Sequence, residues 1–174
     1  MKRRMFKVLF FVIAVSAAVA AAKAMRQSGG KKDRDQLIGA WKLVSAVEYM
    51  TDGSTRNYTD VGPDGTGYLL YTGDGHMCAQ LMRGDRQQWK DTFHPTDAEK
   101  ISAFDSFSAY CGRYEIDEVK HLIRHILETA SFPDYVGTTK QRPYVLRDDI
   151  LTFADDDTDP GVKSYKIVWR KASR

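Results

Sequence analysis

Two of the four histidines, His121 and His125, stand four residues apart in the last third of the 174-residue chain. On an α-helix this spacing would place both imidazoles on one face, where they could bind one metal ion. On a β-strand the same two residues would be roughly 13 Å apart along the strand axis, which is too far for one ion to bridge. Leu122 stands where the zinc-protease pattern has glutamate. We therefore predict no metal site here.

The secondary structure around these histidines is ambiguous. Between Val119 and Leu127 the apolar residues fall at helical spacing. The flanking sequence favours a strand, because residues 114–116 alternate between polar and apolar and Asp117-Glu118 suits a tight turn. If the segment is a strand, His125 shares one face with every second residue. Both interpretations stay open at this point.

Other patterns that could carry chemistry are incomplete. The glycine-rich residues 62–67 lack the Lys-Ser/Thr pair of a phosphate-binding loop. The acidic residues 155–159 lack the glycine and the terminal glutamate of an EF-hand. No serine lies in a Gly-x-Ser-x-Gly elbow. The sequence therefore indicates no cofactor and no covalent nucleophile.

The N-terminal segment has the form of a secretory signal peptide. Residues 1–7 are basic, residues 8–22 are apolar, and Ala22-Lys23-Ala24 fits the small-x-small cleavage rule. We expect residues 1–24 to be removed on export to the periplasm or outside the cell, with membrane contact only if cleavage fails. Five of the 26 basic residues lie in this segment, so the remainder has 21 basic and 23 acidic residues and a net charge of −2. That balance argues against a nucleic-acid partner.

Export would place Cys78 and Cys111 in an oxidising compartment. The two thiols could form one intramolecular disulfide. They could equally be two separate buried thiols, and the spacing does not decide between these states.

The rest of the chain predicts a single all-β domain with one helix. We expect a flexible tether at residues 25–36 and a folded domain at 37–172. The first strand alternates from Leu37 to Tyr49, and Gly73-Asp74-Gly75 joins two strands in a hairpin. A helix is predicted at about 97–111, started by a Thr96/Glu99 capping box. Further short strands follow, at 113–117, 120–129, 138–147, 149–154 and 164–171, giving eight to nine antiparallel strands in a sandwich or closed barrel.

Several stretches resemble the lipocalin-like domain family, whose members form calycin-type β-barrels. The matching stretches are LIGAWKLVS, GYLLYTGDGHMCAQLMR, AYCGRYEID, the region around His125, and FPDYVGTTKQR. The resemblance spans about residues 37–171. It implies that 119–129 is a strand and that His125 and Arg142 occupy recurrent polar positions. Lys140 stands where this pattern leads us to expect glutamine. The resemblance also implies a closing contact in which a basic residue of the last strand, here Arg170, covers Trp41.

A barrel of eight strands has room for one small ligand. We predict that His125 and Arg142 face inward at similar depth on adjacent strands and hold the polar head of a ligand, with Arg142 keeping the imidazole neutral. We predict an apolar wall around them, formed by Tyr68, Met77, Tyr114, Trp41 and Phe153.

Three functions are compatible with these features. The first is an exported barrel that binds a small hydrophobic molecule. The second is a cofactor-independent cyclase or isomerase acting on a polyketide-like or terpenoid-like substrate, as the resemblance implies for some members. In that case His125 would transfer the proton and Arg142 would stabilise an oxyanion. The third is a structural envelope protein with a filled barrel. The sequence does not specify an oligomeric state.

Overall fold

A closed β-barrel forms the folded part of the chain. The computed structural model describes residues 32–173, so the predicted signal peptide and residues 25–31 lie outside the described part. In chain order the elements are α1 (Asp33–Leu37), β1 (Gly39–Met50), β2 (Thr55–Asn57), β3 (Thr66–Tyr71), β4 (His76–Met82), α2 (Asp97–Asp105), β5 (Phe107–Asp117), β6 (Leu122–Ala130), a short 3₁₀ turn (Pro133–Tyr135), β7 (Thr139–Arg147), β8 (Ile150–Asp156) and β9 (Val162–Lys171). Within this part, no helix is long and apolar enough to cross a membrane.

The strand order explains how the barrel closes. From β3 to β9 each strand pairs antiparallel with the next, and β1 pairs with both β3 and β9. The ninth strand, β2, pairs with β1 outside this closed ring of eight. Closure removes the free sheet edges that would otherwise need protection. The predicted all-β, antiparallel, lipocalin-like architecture is confirmed.

The segment around His125 is strand β6, so the helical interpretation was wrong. Its backbone pairs with β5 on one side and β7 on the other. Ile123, His125 and Leu127 alternate into the interior and are almost fully buried. His121 lies in the preceding turn with φ of 50°. The helical spacing arose because the outward residues Leu122 and Ile126 are also apolar and only half exposed.

The predicted helix at 97–111 is shorter than expected. It begins with the Thr96/Glu99 capping box and ends at Asp105. Residues 107–111 belong instead to β5 and pair with β4. No helical side chain is buried, so the helix contributes nothing to the core. Strand pairing therefore outweighed the apolar periodicity that extended the prediction into β5.

Helix α1 covers one end of the barrel. Its Leu37 is completely buried, and the Tyr144 hydroxyl donates to Asp33 Oδ2 at 2.7 Å. The backbone N–H of Arg34 donates to Glu118 Oε1 in the β5–β6 turn. Residues 33–36 therefore belong to the folded domain, and the expectation of a flexible tether was wrong for them.

The cation next to Trp41 is Lys171 rather than the predicted Arg170. Lys171 Nζ lies 4.5 Å from the centre of the Trp41 ring and donates to the carbonyl oxygens of Gln36 and Ile38. The indole N–H of Trp41 donates to Leu37 O at 2.8 Å. Arg170 points outward, with Nε 3.6 Å from Asp149 Oδ2. Side chains alternate along β9, so only the neighbour of Arg170 can reach the Trp41 side.

We expect Lys171→Met to lower the free energy of unfolding by about 1–2 kcal/mol, because it removes a cation–π contact and two charged hydrogen bonds. Chemical denaturation measures this change. Arg170→Met is the matched control, and it should change stability by less than about 0.5 kcal/mol because its ion pair is exposed. Equal losses in the two variants would show that Lys171 is not the closing residue.

Candidate functional site

A chain of polar side chains crosses the barrel interior. His125 is fully buried on β6 and has a tyrosine hydroxyl at each ring nitrogen. Tyr71 Oη of β3 lies 2.6 Å from its Nε2. Tyr110 Oη of β5 lies 3.2 Å from its Nδ1. A neutral imidazole donates through one nitrogen and accepts through the other, so these two tyrosines satisfy it completely.

Arg142 continues this chain on strand β7. Its Nη1 donates to Tyr165 Oη at 2.9 Å, and its guanidinium also bonds to Tyr110. The β6–β7 register places His125 opposite Lys140 and Arg142 opposite Ile123. His125 and Arg142 are therefore offset by two residues rather than at the predicted equal depth. They lie on the same face, and Tyr110 links them.

The buried environment determines the charges of this chain. Burial, followed by the positive charges of Arg142 and Lys140, holds the pKa of His125 well below its usual value of 6.5. Burial alone would lower the pKa of Arg142, but the surrounding tyrosine hydroxyls outweigh it and raise the pKa above its usual value. Near pH 7 the site therefore contains a neutral imidazole and a permanent cation.

A pocket lies against Arg142. Its apolar wall is formed by Leu69, Ala79, Leu81, Phe153 and Ile167. The other lining residues are polar or aromatic: Tyr58, Asp60, Ser108, Tyr110, Tyr135, Lys140, Arg142 and Trp169. The Tyr58 ring also contacts the ring of Tyr165. The cavity volume is about 40 Å³, which holds a few water molecules.

An acidic residue, Asp60, and a basic residue, Lys140, line the pocket together with Arg142. Burial is the main cause that raises the pKa of Asp60, against the opposing effects of a Ser108 hydrogen bond and the Lys140 charge. Burial and then the Arg142 charge lower the pKa of Lys140. Lys140 Nζ also lies 3.7 Å from the centre of the Tyr135 ring. The pocket thus contains two basic groups and one carboxylate.

Trp169, which lines the pocket, has an unpaired donor in its indole ring. The residue is 3% exposed. Among side chains of residues 32–173, its indole Nε1 is the one buried nitrogen or oxygen without a hydrogen-bond partner. Buried N–H groups are usually paired, because an unmade hydrogen bond costs about 1–3 kcal/mol.

The sequence of this domain has counterparts among known proteins. The family model described as a lipocalin-like domain matches residues 38–172. The chain belongs to the lipocalin-like domain family. It is also 30% identical over 109 residues to a protein of Aspergillus oryzae (strain ATCC 42149 / RIB 40) named 4'-hydroxy-3'-methoxypropiophenone carrier protein. That match covers 56% of this chain and 98% of the relative. No solved structure matches the chain significantly.

Of the five residues predicted to form the apolar wall of the lipocalin-like barrel, only Phe153 lines the pocket. Tyr68 was expected to face inward, but it is 39% exposed on the outer face of β3. Tyr71 of the same strand faces inward instead. Tyr114 and Met77 are buried in the core but do not line the pocket. Trp41 is likewise buried in the core, and Phe153 forms part of the apolar wall. The prediction for Tyr68 failed because a shift of one residue reverses the face of a strand.

His125 supports the site from behind. It is fully buried, both its nitrogens have partners, and it does not line the pocket. In this conformation it reaches a ligand only through Tyr110, which does line the pocket. No local sequence pattern marks Tyr110, Tyr165 or Asp60 as residues of the site. Their role depends on which strands meet across the lipocalin-like barrel.

A disulfide joins Cys78 of β4 to Cys111 of β5 on the outside of the barrel. The two residues lie directly opposite each other in the strand pairing. Among the described residues no group of three or more His, Cys, Asp or Glu side chains could hold a metal ion.

The buried His125 should make stability depend on pH. Its pKa is lower in the folded state than the unfolded value of about 6.5, so the unfolded state binds more protons below that pH. Above about pH 6.5, His125 should not make the free energy of unfolding depend on pH. Below that pH, the free energy of unfolding should fall by up to about 1.4 kcal/mol per pH unit. Urea unfolding of wild type and His125→Gln between pH 5 and 8 measures the difference.

The exposed His94 provides the control, since 84% of its side chain is accessible. His94→Gln should leave the acid slope of the wild type unchanged. An equal slope in His125→Gln and wild type would show that His125 is not the responsible group.

Proposed function

We propose that this lipocalin-like domain binds a small, mainly apolar molecule inside the barrel, with the ligand's polar group at Arg142. The observation that carries this proposal is the composition of the pocket. Five apolar side chains line the pocket together with Arg142 and Tyr110. Small-molecule sites characteristically combine a predominantly apolar lining with a few fixed polar groups.

The Aspergillus relative supports an aromatic ligand. Its name describes a carrier of a substituted phenyl ketone. Such a molecule offers an apolar ring together with carbonyl and hydroxyl oxygens. The oxygens suit the donors of Arg142 and Tyr110, and the ring suits the wall formed by Phe153 and Ile167.

Ligand entry would require movement at the pocket mouth. The cavity of about 40 Å³ is smaller than a benzene ring needs. The mouth includes Tyr135 and Lys140, which belong to the β6–β7 connection and the start of β7. Both side chains are partly exposed and contact each other, so their displacement would break little of the core packing.

We further propose that the domain acts as a carrier after export to the periplasm or outside the cell. The N-terminal sequence pattern and the Cys78–Cys111 disulfide support this location. Binding is favoured over catalysis because His125 is enclosed by Tyr71 and Tyr110.

Native mass spectrometry and tryptophan fluorescence can test the proposal with 4'-hydroxy-3'-methoxypropiophenone as the probe. We expect a one-to-one complex with the wild type. Ala79→Leu should weaken it at least tenfold, because the larger side chain fills the apolar wall from within.

Arg170→Met is the matched control, because Arg170 lies on the outer surface. It should bind as the wild type does. If this probe and related phenols and aryl ketones all fail to bind the wild type at about 1 mM, the proposed function is wrong.

A further inference from the structure

Resting on the proposed function, we propose that the ligand carries a carboxylate and that Arg142 binds it inside the pocket. The domain would then be a binder of small organic acids with an aromatic or otherwise apolar body. Two separate observations lead to this inference. They are the lack of an ion-pair partner at Arg142 and the unpaired indole of Trp169.

Arg142 has no carboxylate within ion-pair distance among residues 32–173. Lys140, Arg142 and Asp60 all line the pocket, and none of them has an ion-pair partner within 4.0 Å among residues 32–173. Lys140 and Asp60 act on each other electrostatically. Asp157 and Asp159 also act on Lys140, whereas the groups with the largest effect on Arg142, apart from its burial, are tyrosines.

The charge of Arg142 is costly to bury without an anionic partner. Its known partners, Tyr165 and Tyr110, are neutral hydroxyl groups. A guanidinium has five N–H donors in a planar fork that matches the two oxygens of a carboxylate. An anionic ligand would supply both the missing charge and the missing acceptors.

Trp169 is a second, uncharged residue of the lining that has an unsatisfied donor. Its Nε1 is buried without a partner, and the residue lines the same pocket as Arg142. A carboxylate has two oxygens with about four acceptor positions, so it can serve more than one donor. A single ketone oxygen has fewer. The cavity of about 40 Å³ also corresponds to a group of the size of two or three water molecules, which suits a carboxylate head.

Calorimetric titration with two probes of the same shape tests the inference. The probes are 4-hydroxy-3-methoxybenzoate and 4-hydroxy-3-methoxybenzamide at pH 7.5, with the propiophenone ketone as a third arm. We expect the acid to bind the wild type at least tenfold more tightly than the amide. Arg142→Met should abolish that preference, Arg142→Lys should retain part of it, and Arg170→Met should retain all of it.

The outcomes separate this inference from the function on which it rests. Equal affinity for acid and amide, binding of the ketone or the amide alone, or an unchanged preference in Arg142→Met would overturn the carboxylate assignment and leave a neutral-ligand binder. Failure of all three probes with the wild type would count against the proposed function itself. The acid–amide comparison in the wild type is informative even if an Arg142 variant does not fold.

Discussion

Arg142→Met is expected to weaken binding of the propiophenone probe by about 10- to 100-fold while leaving the barrel as stable as the wild type. The loss reflects a charged hydrogen bond to the ligand, worth about 1.5–3 kcal/mol. Stability should persist because Arg142 is buried with neutral partners, and an apolar side chain of similar length avoids the cost of burying its charge.

Titration and thermal denaturation of the same preparation measure both effects. A parallel fall in affinity and melting temperature would mean that Arg142 is structural. Tyr165→Phe offers a milder companion, because it removes one hydroxyl partner of Arg142 and keeps the ring. It should reduce affinity less than Arg142→Met does.

Loss of the Cys78–Cys111 disulfide is the largest expected effect on stability. The bridge closes a segment with a sequence separation of 33 residues, and release of a loop of that length costs about 3.7 kcal/mol through the entropy of the unfolded chain. We expect a Cys78→Ala/Cys111→Ala variant to melt roughly 10 °C below the wild type. Differential scanning calorimetry measures the shift.

A reducing agent supplies the control for this variant. It should lower the melting temperature of the wild type by a similar amount and leave that of the double variant unchanged. Melting temperatures that agree within about 2 °C for oxidised wild type and variant would contradict the expectation. Because the bridge lies on the outside of the barrel, ligand affinity at low temperature should change little.

The sequence predicted those features that depend on local patterns. The Gly73-Asp74-Gly75 turn and its alternating flanks predicted the β3–β4 hairpin, which the strand pairing confirms. The Thr96/Glu99 capping box is present at the predicted start of α2. Closure into a barrel followed from the strand count and from the family resemblance together. Periodicity alone would have made β6 a helix.

Strand faces were harder to predict, because irregularities reverse them. The alternation from Leu37 to Tyr49 predicted one continuous inward face. A register shift between Leu43 and Ser45 turns the later part of β1 over, so Ala46 and Glu48 become buried. Nothing in the local sequence marks this bulge. Its position follows from pairing with β9 and from the Arg56 partner of Glu48.

The candidate site contains some residues that the sequence predicted and others that it did not. Arg142 and His125 were predicted to face inward, and both do so in the structure. Asp60 lies in a turn-rich loop, and its place beside the pocket depends on contacts across the barrel. Tyr110 was assigned to the helix at 97–111, which concealed its strand position. Side chains that meet through tertiary pairing leave no spacing signal in the chain.

The most direct test of ligand binding inside the barrel uses the three tryptophan indoles. Their N–H signals in ¹H–¹⁵N spectra report three different places. Trp169 lines the pocket without a hydrogen bond, Trp41 is bonded to Leu37 O, and Trp89 is 40% exposed. On saturation with 4'-hydroxy-3'-methoxypropiophenone or the matching benzoate, the Trp169 signal should move downfield while those of Trp41 and Trp89 stay in place. An unchanged Trp169 signal at saturation, or a shift confined to Trp89, would contradict binding in the barrel interior.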